Sequence, residues 1–228
     1  MRMRDPLELT GRTDRHIRAL TGFDCRVHAA VVEPFLELRR AASRDGIDLA
    51  PYSAFRSFDD QCRIWNAKYR GERPLLAADG ALLEHAGLDE STLIASILRW
   101  SALPGASRHH WGTDIDVIDI GAVPEGYEVR LMPQEFEPGG IFERLAGWLE
   151  ENLPGHGFFR PYAAFRGGVE REPWHLSYAP VSVPALESLT PELLGEAIAA
   201  GEVLGKNRIL AELPGLYARY VTNITASS

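Results

Sequence analysis

Residues 107–120 read S-R-H-H-W-G-T-D-I-D-V-I-D-I, and the change of character inside this stretch decides the fold class. From Asp114 onward acidic and β-branched residues alternate, the pattern of a strand whose two faces meet different surroundings. Before it, two histidines, Trp111 and Gly112 make a polar loop that feeds the strand. Working outward, I-D-L-A-P-Y-S-A-F-R (47–56) predicts a second strand. Pro51, which has no N–H, confines it to an edge or a bulge, and Arg56 falls at its end. P-W-H-L-S-Y-A-P (173–180) predicts a third short strand, closed by Pro180.

Helical spacing surrounds these strands. Val27, Ala30, Val31, Phe35 and Leu38 predict a helix over 27–40, with Gly46 beyond its end. Ser57 is an N-cap candidate for the next helix, with Asp59 and Asp60 in the positive first turn and Ile64, Trp65 and Lys68 at helical spacing. Further helices are predicted over 91–102, 142–149, 191–200 and 207–224, the last bent near Pro214. Strands that are few, scattered and separated by helices of unequal length predict an α+β fold rather than a regular βαβ array.

Composition narrows the function classes. The chain has 228 residues, 45% hydrophobic and 25% charged, which excludes collagen-like, coiled-coil and wholly disordered proteins. No low-complexity linker divides it, so one domain over 1–228 is expected. A net charge of −8 leaves no electrostatic footprint for nucleic acid or an anionic lipid surface. Apolar runs are a few residues long against the roughly 18 that span a bilayer. No apolar segment follows the early arginines, so cytoplasmic residence is the default expectation. Cys25 and Cys62 read as two small core residues, a single bridge being the alternative in an exported protein.

Two clusters carry chemistry: residues 107–116, with His109, His110, Asp114 and Asp116, and E-R-E-P-W-H (170–175), with Glu172 and His175. Either alone is better read as bland structure, the first as a polar loop and the second as a surface ion pair. Together they supply two imidazoles and a carboxylate, the ligand set of a catalytic zinc that keeps a fourth position for water. They also leave a spare carboxylate to act as base toward that water. On a strand Asp114 and Asp116 share a face. Spacing does not choose between them, nor between His109 and His110.

S-R-H-H-W-G-T-D-I-D resembles the S-x-H-x-x-G-x-x-x-D signature of the zinc D-alanyl-D-alanine carboxypeptidases and dipeptidases of the VanY-like group, and E-P-W-H resembles their E-x-x-H. S-A-F-R-S-F-D-D-Q (53–61) resembles the upstream element of the same group, which shares its fold with lysostaphin-type endopeptidases and the hedgehog domain. The three elements stand in the family order and span 52–178. The resemblance implies an α+β fold in which a small antiparallel sheet carries the zinc site, packed by several helices, with added N- and C-terminal helices. The motif-bearing core would be about 47–180 and a C-terminal helical extension about 182–228.

The same resemblance makes His109, Asp116 and His175 the ligands of one Zn2+ per chain and Glu172 the general base. Arg56 becomes the anchor for the substrate's terminal carboxylate or carbonyl, suited by its bidentate fork. Gln61 and Ser107 match substrate-contacting positions, and Trp174 either walls the pocket or fills the core. The implied activity is removal of C-terminal D-alanine from a peptidoglycan-derived peptide, with no nucleic-acid partner and no membrane insertion. Alternatives on the same metal are a cell-wall endopeptidase, a D,D- or L,D-dipeptidase, or a non-catalytic zinc-containing binding module. The family usually works outside the cytoplasmic membrane, against the default above. Two departures stand out. Asp114 replaces a small residue, which puts an extra carboxylate near the metal, and His110 with Trp111 replaces a less bulky pair, which predicts a narrowed cleft.

Overall fold

A computed structural model describes residues 5–227. In chain order the elements are α1 (Pro6–Leu9), β1 (Ile17–Ala19), β2 (Arg26–His28), α2 (Val32–Arg44), β3 (Leu49–Ser53) and α3 (Phe58–Tyr69). There follow β4 (Leu75–Leu76), β5 (Leu82–Leu83), α4 (Glu90–Leu98), β6 (Asp114–Asp119), α5 (Glu143–Asn152) and β7 (Phe158–Phe159). The chain ends with β8 (His175–Tyr178), α6 (Ala179–Ser188), α7 (Pro191–Ala199) and α8 (Lys206–Leu216).

The fold is α+β. The main sheet is antiparallel with strand order β3-β6-β8-β7, and two-stranded ribbons pair β1 with β2 and β4 with β5. Pro51 does both things a strand proline is allowed: β3 is an edge strand, and its register against β6 shifts between Pro51 and Ser53. All six residues of β6 are buried. The alternation in its sequence therefore separates an apolar core face, with Ile115 and Val117, from a buried polar face, with Asp114 and Asp116.

Apolar residues collect on both sides of β6. Phe35, Leu49, Ile115, Phe142, Leu149 and Leu176 gather α2, the sheet and α5 into one core. Phe58, Trp65, Ile97, Trp111, Ile198 and Leu213 gather α3, α4, α7 and α8 into the other. Trp111 belongs to the helical core and Ile115 to the sheet core, so the chain passes from one to the other within residues 111–115. Among the described residues no helix is long and apolar enough to cross a membrane.

Several boundaries differ from the sequence expectation. Val27 lies in β2, paired with Arg18, and the helix begins at Val32: Val27 and Val31 are apolar at helical spacing because both enter the sheet core, not because one helix holds them. Pro180 does not merely close β8; it occupies the first turn of α6, where a missing N–H costs nothing. The last helix runs through Pro214 to Leu216 and widens into a π turn at Tyr217–Val221. Cys25 is half-buried and Cys62 buried, each a free thiol.

Candidate metal centre

Main-chain geometry brings the three elements together. The residues Arg108–Trp111 form a 3-10 turn ended by Gly112 at φ 65°. A Cβ at Gly112 would lie 2.4 Å from Ile17 Cδ1 and 2.6 Å from the His28 nitrogen, so only glycine lets the turn pass this close to the β1–β2 ribbon. The turn folds His109 back over β6. Across the sheet, Asp116 stands directly opposite His175 in the β6–β8 register. Opposing residues in such a pair are held within about 5 Å by the ladder itself.

His109, Asp116 and His175 are all buried, and a donor atom from each lies within 4.8 Å of the other two. His109 Nε2 is 3.4 Å from Asp116 Oδ2, and His175 Nδ1 is 3.2 Å from Asp116 Oδ1. Burial opposes ionisation of Asp116, but the charges of His109 and His175 outweigh it and hold the carboxyl well below the usual range. Burial likewise opposes a charged His175, and contacts with Asp114, Asp116 and Glu172 outweigh it and hold the imidazole well above its usual value. Asp116 Oδ1 is buried yet receives no hydrogen bond of good geometry, although His175 Nδ1 is near. Two imidazole nitrogens and a carboxylate crowded around an unsatisfied oxygen form a group able to hold one metal ion, and the set suits zinc with one position open.

The open side of the group faces a cleft of about 260 Å3 whose walls include Arg56, Ser107, Glu172 and Trp174. Glu172 Oε2 is 3.1 Å from His175 Nδ1, and its main chain is tied by its N–H to the Tyr162 carbonyl at 2.9 Å. Arg56 lies between β3 and α3, just before Ser57, which caps α3 in a reciprocal box with Asp60. Its guanidinium donates to Gln61 Oε1 at 2.8 Å and to Ser53 Oγ at 3.1 Å. Among the described residues it has no ion-pair partner. Burial lowers its pKa, with Asp116 and Glu172 pulling the other way.

Of the residues singled out in the sequence, His109, Asp116, His175, Glu172, Arg56, Ser107 and Trp174 all meet at this cleft. Gln61 does not: it is fully buried, donating to the Ala102 carbonyl at 2.7 Å and accepting from Arg56, so it holds the arginine instead of facing the cleft. Trp174 does both things expected of it, lining the cleft and packing 5.6 Å from Phe136 in the sheet core.

The two departures come out differently. His110 and Trp111 do not narrow the cleft. Trp111 is buried in the helical core with its indole N–H on the Leu9 carbonyl. His110 is fully buried, bonded through Nδ1 to the Arg56 carbonyl at 2.7 Å and through Nε2 to the Gly105 N–H at 3.0 Å. Asp114 is not on the cleft wall either; it stands behind His175, 2.9 Å from Nε2.

Among the cleft residues that carry no motif and were not singled out, three are titratable: Lys68, Arg130 and Tyr162. Lys68 Nζ donates to Ser101 Oγ at 2.6 Å, and burial lowers its pKa to about 8. A lysine one turn beyond the buried Trp65, on the buried face of α3, was the signal available. Tyr162 packs edge-on against the His175 ring at 5.1 Å, and burial raises its pKa to about 12.

Comparison with known proteins agrees with this geometry. The family model VanY, described as D-alanyl-D-alanine carboxypeptidase, matches residues 24–181. An uncharacterized protein of Haemophilus influenzae is 37% identical over 121 residues, covering 52% of this chain and 92% of the relative. A D-alanyl-D-alanine carboxypeptidase of Enterococcus faecalis is 28% identical over 151 residues, covering 64% of this chain and 46% of the relative. Two solved structures share the fold. VanYB in complex with D-alanine-D-alanine superposes with a TM-score of 0.54 at 21% identity, covering 84% of this chain and 92% of that one. A VanY D,D-pentapeptidase mutant in complex with Zn(II) superposes with a TM-score of 0.50 at 22% identity, covering 82% and 92%. The family match spans every element that builds the cleft, and the chain belongs to the VanY family of D-alanyl-D-alanine carboxypeptidases.

Proposed function

We propose that this chain is a zinc-dependent carboxypeptidase that releases C-terminal D-alanine from peptidoglycan-type peptides, with His109, Asp116 and His175 as the metal ligands. One observation carries the reading: a buried three-donor group opens on the same cleft as a carboxylate 3.1 Å from one of its ligands and a guanidinium free of carboxylate partners. Family membership and the Zn(II)-bound relative support it. Both cores contribute walls to the cleft, which supports reading the chain as one catalytic domain.

When bound, the metal supplies a Lewis acid for the scissile carbonyl and acidifies the attacking water. The side chains do the rest. Arg56 grips the terminal carboxylate of the peptide with its fork, and Gln61 and Ser53 keep that fork aimed. Glu172 takes a proton from the attacking water and delivers it to the leaving amine as the C–N bond breaks. Trp174 and Tyr162 exclude water from one wall, while Lys68 and Arg130 add positive charge for an anionic peptide. Ser107, on the same cleft, is the remaining candidate for a substrate contact.

The test is release of D-alanine from a muramyl pentapeptide by the purified protein, with chelator and with zinc restored. Chelator-sensitive release rescued by zinc is expected. No release from protein shown to carry one zinc per chain would overturn the carboxypeptidase reading and direct the search to cross-linked muropeptides and to free D-alanyl-D-alanine.

A further inference from the structure

Asp114 carries a fully buried carboxylate with three donors on it. Its Oδ1 accepts from His175 Nε2 at 2.9 Å and from Arg108 Nε at 2.7 Å, and its Oδ2 accepts from Thr113 Oγ1 at 2.6 Å. His175 and Arg108 also line the cleft, whereas Asp114 itself does not. The carboxylate touches the nitrogen of His175 that points away from Asp116, so it stands on the far side of the ring from the three donor atoms and is not one of them.

That arrangement decides which imidazole nitrogen carries the proton. A carboxylate accepting at Nε2 fixes the hydrogen there and leaves the Nδ1 lone pair directed at the metal position. The main chain of the same residue does the matching task for the other histidine: the Asp114 carbonyl lies 3.2 Å from His109 Nδ1 and leaves Nε2, 3.4 Å from Asp116, free to bind. Any residue at position 114 offers that carbonyl, whereas only an acidic one offers the carboxylate. Asp114 and Asp116 share the polar face of β6, so two residues apart on one strand the chain supplies a ligand and the support for another ligand.

We infer that Asp114 is a positioning residue of the metal centre, its carboxylate orienting His175 for metal binding from behind while Arg108 and Thr113 hold that carboxylate in place. Arg108 is fixed in turn by Ser177 Oγ at 2.6 Å, which donates onward to Ser182 Oγ at 2.7 Å, and by the Trp111 ring 4.9 Å from its guanidinium carbon. The support is therefore a chain of buried hydrogen bonds running from α6 to the metal ligand. The inference rests on the metal reading above and deepens it. Removing a hydrogen-bond partner of this kind from a ligand typically weakens metal binding about 10- to 100-fold.

The test measures zinc affinity, by competition with a chromophoric chelator, in the wild-type protein and in three variants whose folding is checked by near-UV circular dichroism. Asp114→Ala combined with Arg108→Met removes the carboxylate without stranding a buried charge, and it should bind zinc about 10- to 100-fold more weakly. Asp114→Asn keeps an acceptor of the same shape and should fall between this variant and wild type. Ser177→Ala loosens Arg108 but leaves the contact between Asp114 and His175, and it should stay within about threefold of wild type, against the larger loss above. A folded double variant or a folded Asp114→Asn with wild-type affinity overturns the inference, as does a Ser177→Ala loss equal to that of the double variant. Failure of the wild-type protein itself to bind zinc is a separate result, and it would sink the metal reading and this inference together.

Discussion

The two sides of the cleft are held by different means. On the metal side, His109, Asp116 and His175 are placed by main-chain devices: the tight turn at Gly112 and the register that sets Asp116 opposite His175. On the substrate side, Arg56 belongs to no strand or helix. Its guanidinium is held by the side chains of Gln61 and Ser53, while its main chain is tied to the 3-10 turn, the carbonyl by the His110 ring and the N–H by the His109 carbonyl at 3.2 Å. A site whose backbone is fixed should fail in steps, ligand by ligand. One held by side-chain hydrogen bonds should fail by degrees. Substitutions on the first side should appear as lost metal or lost chemistry, and those on the second as weakened substrate binding with the metal kept.

The largest effect should come from His175→Ala, which removes a ligand and strands the buried carboxylates of Asp114 and Asp116. Metal analysis should find less than stoichiometric zinc, with no measurable turnover; a variant that keeps both would break the contrast at its strongest point. Glu172→Ala comes next. Zinc should remain at one per chain while kcat falls about 100- to 10,000-fold, the usual share of a general base. Wild-type turnover in that variant would remove Glu172 from its proposed role.

On the substrate side, Arg56→Lys keeps a charge and loses the fork. Charge-assisted hydrogen bonds are worth about 1.5–3 kcal/mol, so kcat/KM should fall about 10- to 100-fold with zinc content unchanged. Gln61→Leu takes away one neutral acceptor and leaves Ser53 in place, so a loss of about 3- to 10-fold is expected, in KM and not in zinc. Equal losses of zinc and of substrate affinity in either variant would mean that the two sides are not independent.

Residues that do chemistry through a fixed spacing were legible in the sequence. His109, Asp116, Glu172 and His175 sit in short motifs because a turn, a strand and a strand pair impose their spacing, and the strand at 114–119 and the α3 cap at Ser57 were legible for the same reason. What stayed hidden depends on contacts far apart in the chain. The narrowed cleft predicted from His110 and Trp111 failed because their bulk turns into the helical core, toward Leu9 and Gly105. Asp114 looked like a candidate ligand because a strand puts it on the same face as Asp116, and only the position of His175 across the sheet shows which carboxylate is in front. Lys68 and Arg130 reach the cleft from segments 62 residues apart, which no local pattern announces. Val27 and Val31 joined one apolar stripe because burial, not a common helix, made both apolar.

The smallest effect is also the sharpest comparison, because it sets one histidine from each side against the other in zinc-free protein. His110 accepts the Gly105 N–H at Nε2, so its ring has no room for a second proton without losing that bond, and burial pushes its pKa down to about 3. The unfolded chain takes up this proton near pH 6.5. Stability from His110 is therefore full above pH 6.5 and is lost as the pH falls toward 3, by at most about 1.4 kcal/mol per pH unit. His175 has the opposite sign. Its folded pKa is raised, so its contribution is full below 6.5 and disappears as the pH rises through the folded value. Urea unfolding at pH 4–6 with zinc chelated should thus show a shallower acid loss in His110→Asn than in wild type. In His175→Asn the pH 4–6 curve should run parallel to wild type, and the difference should appear above pH 6.5, where wild type loses stability as the pH rises and the variant does not. A His110→Asn curve parallel to wild type below pH 6.5, or a His175→Asn curve parallel to it above, would mean that the ring concerned is not held as its hydrogen bonds require.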